Sequence, residues 1–242
     1  MGKTALITGA SRGIGKATAI KLTECFDNII INSRQNKDGL EATKQEILKL
    51  NKNCISFSGN VGDYLFVKNM TEEAISTFGN IDCLVNNAGI SYSGLLTDMT
   101  IDEWNNIINT NITSVFNCCH QIVPYMVRQK SGKIINISSM WGISGASCEV
   151  AYSATKGAVN SFTTALAKEL APSNIQVNAI ACGAIDTDMN RIFSKEEMSD
   201  FCKDVPTGRM GTPKEIAQMV KLLCEAPNYL TGEIIKIDGG YL

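Results

Sequence analysis

The 242-residue sequence predicts one α/β domain, a doubly wound parallel sheet with helices on both faces. Three observations predict it. Short apolar runs alternate with longer segments of helical period from one end to the other. Several runs are continuously apolar or β-branched, as strands covered on two sides require. Only five prolines occur, and no repeat, low-complexity tract or composition shift divides the chain.

The predicted strands cover residues 5–8, 28–32, 54–58, 81–86, 133–138, 175–180 and 233–237. The first runs into a glycine turn, Thr8-Gly9-Ala10-Ser11-Arg12-Gly13-Ile14-Gly15, which opens a helix over 14–25. A helix over 40–50 carries its charges on one face, and another covers 64–78. The segment 100–127 begins with Thr100-x-x-Glu103, a capping box, and is predicted as one long helix. Helices over 152–170 and 213–224 complete the alternation, so the domain spans 1–242.

A net charge of -2 excludes a general nucleic-acid or membrane-surface binder. The nine cysteines are scattered, odd in number and without a C-x-x-C pair, which predicts buried thiols in a reducing compartment. Met1-Gly2-Lys3 leads directly into a short core strand, so neither a leader nor a myristoylated tail is expected, and a cytoplasmic location follows. The single histidine, His120, follows Cys118 and Cys119 directly. Three consecutive helical residues cannot converge on one ion, so no metal site is expected.

The glycine turn has the spacing Gly-x3-Gly-x-Gly, where small residues let the backbone approach a phosphate at a helix N-terminus. The second strand ends Asn32-Ser33-Arg34, without the acid that grips a ribose 2′-hydroxyl. Arg34 and Arg12 suit a 2′-phosphate, which favours NADP; the alternative for Arg34 is a solvated loop residue. Tyr152 and Lys156 share one helical face, where an ammonium is expected to lower the phenol pKa. Ser139 ends the fifth strand, at the sheet edge where ligands bind, and can hold a substrate oxygen.

Taken in order and spacing, Thr8-Gly9-x3-Gly13-x-Gly15, Asn86-Asn87-Ala88-Gly89, Ser139, Tyr152-x3-Lys156 and Ile237-Asp238-Gly239-Gly240 resemble the short-chain dehydrogenase/reductase family over the whole chain. The resemblance implies a Rossmann-type fold and catalysis by Asn111, Ser139, Tyr152 and Lys156, with Asn111 holding a water in a proton relay. It implies an NADP site of Gly9, Ser11, Arg12, Gly13, Ile14, Gly15, Arg34, Asn60, Val61, Asn87, Gly89, Tyr152, Lys156, Ile185 and Thr187. It further implies a homotetramer built on helices 100–127 and 152–170 and the last strand. Cys182-Gly183 departs from the family's usual Pro-Gly, which frees the backbone there.

Within the family, length, Asn60-Val61 and the Asn86–Gly89 region resemble the bacterial 3-oxoacyl-[acyl-carrier-protein] reductases. For these, Arg128 and Lys130 are candidate docking positions for the carrier protein, while Ser173 stands where a second docking arginine is usual. The stretch Trp141–Val150 and Gly183–Thr187 instead look like the reductases of the 5-aminopentanone modification on elongation factor P. There Glu149 is a candidate contact for the ammonium of that modification. A third reading, a non-catalytic NADP-binding regulator, conflicts with the presence of all four catalytic positions.

Overall fold

A computed structural model describes residues 2–192 and 194–242, and at 191, 192 and 195 the backbone alone. The strands are β1 (Thr4–Ile7), β2 (Asn28–Ser33), β3 (Asn53–Ser58), β4 (Cys83–Asn86), β5 (Gly132–Ser139), β6 (Ile175–Cys182) and β7 (Ile234–Ile237). They form one sheet in the order β3-β2-β1-β4-β5-β6-β7, and every neighbouring pair is parallel. The helices are α1 (Gly13–Leu22), α2 (Lys37–Lys49), α3 (Tyr64–Phe78), α4 (Ile101–Ile108), α5 (Ser114–Gln129), α6 (Trp141–Ser144), α7 (Val150–Leu170), α8 (Lys195–Asp204) and α9 (Pro213–Glu225).

Alternation along the strands sends side chains to two cores. Ala5, Ile7, Ile29 and Ile31 pack with Leu22 of α1, Ile47 of α2 and Val220 of α9. Leu6, Ile30 and Leu84 pack on the other face with Met70 of α3, Ile122 of α5 and Val159 of α7. Each fully buried Ile or Leu contributes roughly 1.5–3 kcal/mol relative to exposure, so the apolar runs themselves hold the layers together.

Side-chain caps set several helix starts, as at Asn36, which accepts from the Gly39 amide. Asp63 accepts from the amides of Leu65 and Phe66. Thr100 with Glu103 and Thr212 with Glu215 form capping boxes.

The long helix expected over 100–127 is not continuous. A π-helical turn, Asn109–Thr113, separates α4 from α5. The cause sits inside it: Asn111 is buried and spends its side chain on Ile90 and on Thr155 of α7 rather than on its own helix. Such turns recur at functional sites.

The sheet has one topological switch, between β1 and β4. Connections leave β1 toward β2 and later return on its other side, so the loops after β1 and β4 diverge and open a crevice at the carboxyl ends.

Candidate active site

One wall of the crevice is the glycine turn. Gly9 has φ +66 and Gly13 φ +55, left-handed values that disfavour other residues. Packing adds a second constraint: a Cβ on Gly15 would sit 2.2 Å from the Gly9 carbonyl oxygen and 2.4 Å from Asn87 Nδ2. The turn is stitched to the loop after β4. Thr8 Oγ1 accepts from the amides of Asn87 and Ala88, both at 3.0 Å. Asn87 Nδ2 donates to the carbonyls of Thr8 and Gly9 at 2.8 and 3.1 Å. Above the turn, α1 begins with no side-chain cap and no acid in its first turn, so its N-terminal amides suit an anion. This cradle fits a dinucleotide phosphate.

The segment after β6 folds back over the cradle. A Cβ on Gly13 would lie 3.4 Å from Thr187 Cγ2, and Arg12 pairs with Asp188 at 3.2 Å. Ile185 is buried and bridges to Gly211. Thus Gly13 and the Ile185–Thr187 segment, far apart in sequence, come to one place.

At the end of β2, Ser33 donates to Ser11 Oγ at 3.1 Å, and Asn32 donates to the Phe57 and Gly59 carbonyls. The latter pair brings the Asn60-Val61 loop alongside. Asn60 Oδ1 takes the Gly62 amide, and Val61 is buried, its carbonyl accepting from Asn117. No acid stands at this strand end. Arg34 is exposed and donates to Asn106 of α4 at 3.3 Å, so Arg34 and Arg12 are each bonded to a different element.

The other wall carries the reactive groups. Ser139 ends β5, and its hydroxyl accepts the Trp141 amide at 3.2 Å. Tyr152 lies on the first turn of α7 beside it. Burial pushes the Tyr152 phenol well above its usual range, partly offset by a hydrogen bond with Ser139. Burial thus moves the phenol in the direction opposite to the expected lowering by Lys156, whose ammonium lies 5.7 Å from the ring centroid. Burial also lowers Lys156 to about 8. Lys156 Nζ donates to the Ile137 carbonyl at 2.8 Å.

Gly89 joins the two walls. A Cβ there would stand 3.4 Å from Asn111 Oδ1 and 3.5 Å from Lys156 Nζ. Both Asn111 amide hydrogens are used, on the Ile90 carbonyl and Thr155, and its Oδ1 takes the Ile90 amide. Asn111 thus pins the loop after β4 to α7. A neutral phenol, a hydroxyl and a buried ammonium at one strand end can together bind a carbonyl oxygen and protonate it.

Several features of the site escaped sequence reasoning. Trp141 meets Tyr241 edge-on at 5.6 Å, and Tyr241 stacks on Phe201 of α8 at 5.2 Å, forming an aromatic wall past Ser139. Helix α8 was legible, since Ser194 and Glu197 form the same capping box as Thr100 and Glu103. Cys182 is buried at the end of β6, its thiol pushed up to about 12 by burial; its carbonyl takes the Met140 amide.

One placement is corrected outright. Arg128 lies in the last turn of α5 and Lys130 follows the helix, so both precede the amino end of β5. Ser139 lies eight strand residues away, about 25 Å at ~3.3 Å each. Within one chain the two bases sit at the opposite sheet edge from the reactive groups, not at the cleft.

Among the described residues, no helix is long and apolar enough to cross a membrane. The short chain dehydrogenase family matches residues 3–198. The chain is 40% identical over 241 residues to the 3-oxoacyl-[acyl-carrier-protein] reductase FabG of Staphylococcus epidermidis, covering 99% of both chains. The FabG of Staphylococcus aureus is 41% identical over 99% of this chain and 98% of its own. That of Thermotoga maritima is 39% identical over 99% and 97%. This chain accordingly belongs to the short-chain dehydrogenase family, and it is an oxidoreductase acting on CH–OH and C=O groups.

Proposed function

We propose that the protein is an NADPH-dependent reductase that converts the ketone of a 3-oxoacyl-[acyl-carrier-protein] to the 3-hydroxy product. The observation that carries this reading is the meeting of the two walls at Gly89, where a Cβ would stand 3.5 Å from Lys156 Nζ, with Tyr152 bonded to Ser139 on the same side. The names of the relatives supply the substrate.

The cofactor, when bound, supplies a hydride to the carbonyl carbon. Ser139 donates a hydrogen bond to the carbonyl oxygen and holds it against Tyr152. Because burial keeps the phenol protonated, Tyr152 enters the reaction as an acid and gives its proton to that oxygen. The Lys156 ammonium stabilises the phenolate as it forms. Asn111 holds the loop after β4 in place and supports the proton relay that restores Tyr152 through Lys156. Gly9, Ser11, Gly13, Ile14, Gly15, Asn60, Val61, Asn87, Ile185 and Thr187 would hold the dinucleotide. Arg34, whose one side-chain bond among the described residues is the 3.3 Å contact with Asn106, would hold the 2′-phosphate.

A second reading, reduction of the 5-aminopentanone modification on elongation factor P, is favoured by Glu149, which stands one turn before Tyr152 and whose carboxylate accepts no hydrogen bond among the described residues. Assembly as a homotetramer is supported by exposed Ile101, Trp104, Phe116 and Val127 on α4 and α5 and by β7 at the sheet edge. Light scattering of the intact protein checks it, a monomer being the contrary result.

The test of function is NADPH oxidation by one preparation given acetoacetyl-acyl carrier protein or 5-aminopentanoylated elongation factor P. Faster turnover of the first supports the main reading, and faster turnover of the second replaces it.

A further inference from the structure

At the amino ends of the strands, opposite the crevice, two thiols meet. Cys83 Sγ of β4 lies 3.6 Å from Cys224 Sγ in the last turn of α9. Among the described residues these are the only two thiols in hydrogen-bond contact, and 141 positions separate them in sequence. A disulfide has its sulfurs about 2.05 Å apart, so the pair needs to close by only about 1.5 Å.

The surroundings give the two sulfurs different parts. Cys83 is wholly buried, and its contact with Cys224 together with burial keeps its thiol protonated well above the usual range. Cys224 is only half-buried, so a small oxidant reaches it first. Cys25, the third thiol nearby, donates to the Leu22 carbonyl at 3.6 Å and is pushed up to about 11 by burial.

A cation stands beside the pair. Lys133 is the register partner of Cys83 on the adjacent parallel strand, so both side chains leave the same face of the sheet. Its Nζ reaches the end of α9, donating to the Ala226 carbonyl at 2.8 Å and Asn228 Oδ1 at 3.3 Å. Burial holds Lys133 below its ordinary range, and negative charge on Cys224 or Cys83 opposes that shift. An ammonium in this position favours the thiolate, the form that attacks an oxidant.

We propose that Cys83 and Cys224 are a redox-active dithiol that hydrogen peroxide closes to a disulfide, joining α9 to β4 and reversibly stabilising the fold. The Cys224 thiolate attacks one peroxide oxygen, the O–O bond breaks, and the departing hydroxide takes a proton to leave as water. Cys83 then attacks the sulfur of the Cys224 sulfenic acid. The S–S bond forms, the S–O bond breaks, and the hydroxide leaves as water with the proton of Cys83. Two thiols are oxidised by two electrons, and one peroxide is reduced to two waters.

The test treats the reduced full-length protein with one equivalent of hydrogen peroxide, then blocks free thiols and maps peptides by mass spectrometry without reductant. A peptide linking Cys83 to Cys224 is expected, with two of the nine thiols lost and both restored by dithiothreitol. The linked protein should unfold at a urea concentration roughly 1 M higher, because so long a loop is closed. Cys25→Ser should keep the link. Cys83→Ala should leave a Cys224 sulfenic acid that dimedone captures, and circular dichroism checks that both variants fold. Oxidation confined to other cysteines, a link from Cys224 to Cys25, or an unchanged urea midpoint in linked wild type overturns the proposal.

Discussion

The two ends of the crevice are built on opposite plans. At the glycine turn, polar groups are bonded within the chain: Thr8 and Asn87 stitch the β1 and β4 loops, and Ser33 holds Ser11. Adding one methyl group at Gly15 has no room. Past Ser139, by contrast, the Glu149 carboxylate accepts no hydrogen bond among the described residues, Trp141 meets Tyr241 edge-on, and Cys148 is exposed. The difference teaches where each property of the enzyme resides. The stitched end is rigid enough to suit a phosphate, the reactive groups stand on the wall between the two ends, and the unstitched end is free to vary.

The largest expected effect lies where the two ends meet. Tyr152→Phe keeps the ring and removes the proton donor, so steady-state turnover should fall about a thousandfold. NADPH affinity by fluorescence titration should change by less than about twofold, because only a transition-state interaction is lost. A parallel loss of affinity would mean that Tyr152 serves the stitched end as well.

Next comes Gly15→Ala, which breaks the stitched end alone. Its Cβ meets a backbone oxygen that cannot move cheaply. Overpacking of this kind costs about 1–3 kcal/mol, read as a lower midpoint in urea, with NADPH binding lost beforehand. Unchanged binding would show that the cradle is not where the phosphate sits.

The pH profile is the third test. Lys156 titrates at about 8 in the folded chain, against an ordinary 10.5. Its ammonium is present below that value, so kcat/KM for ketone reduction should fall as pH rises through about 8. The sign for stability is the reverse. Between 8 and 10.5 the unfolded chain holds a proton that the folded one has released, so the Lys156 contribution to stability grows with pH across that window and is lost below it. Lys156→Met should remove both dependences, and a profile flat to pH 9 in wild type would count against the ammonium.

The smallest effect is cofactor choice. Arg34→Ala should weaken NADPH several-fold more than NADH, and Arg12→Ala less so, since Arg12 is already paired with Asp188. Equal weakening of both cofactors would move the 2′-phosphate elsewhere.

Much of this was legible in the sequence, for reasons that differ by region. Buried parallel strands announce themselves because both faces must be apolar, and all seven were found within two residues of their ends. The cradle was legible because left-handed turns and close packing admit little besides glycine. The break at Asn109–Thr113 was not, because its cause is tertiary: Asn111 reaches Ile90 and Thr155, which no local pattern reports. The phenol's high proton affinity was hidden for the same reason. Helical spacing pairs Tyr152 with Lys156, but burial depends on what packs around them. The resemblance also offered Arg128 and Lys130 as docking positions, and within one chain they lie before the amino end of β5, the end of that strand away from Ser139.

The central claim, that the two walls together reduce a ketone, is tested most directly by a single-turnover experiment. Wild-type protein is mixed with stoichiometric NADPH and excess acetoacetyl thioester, and reduced nicotinamide and 3-hydroxy product are followed together. The account predicts that one hydroxyacyl product appears for each NADPH lost. NADPH that binds tightly and persists, with this thioester and with 5-aminopentanoylated elongation factor P alike, would contradict it.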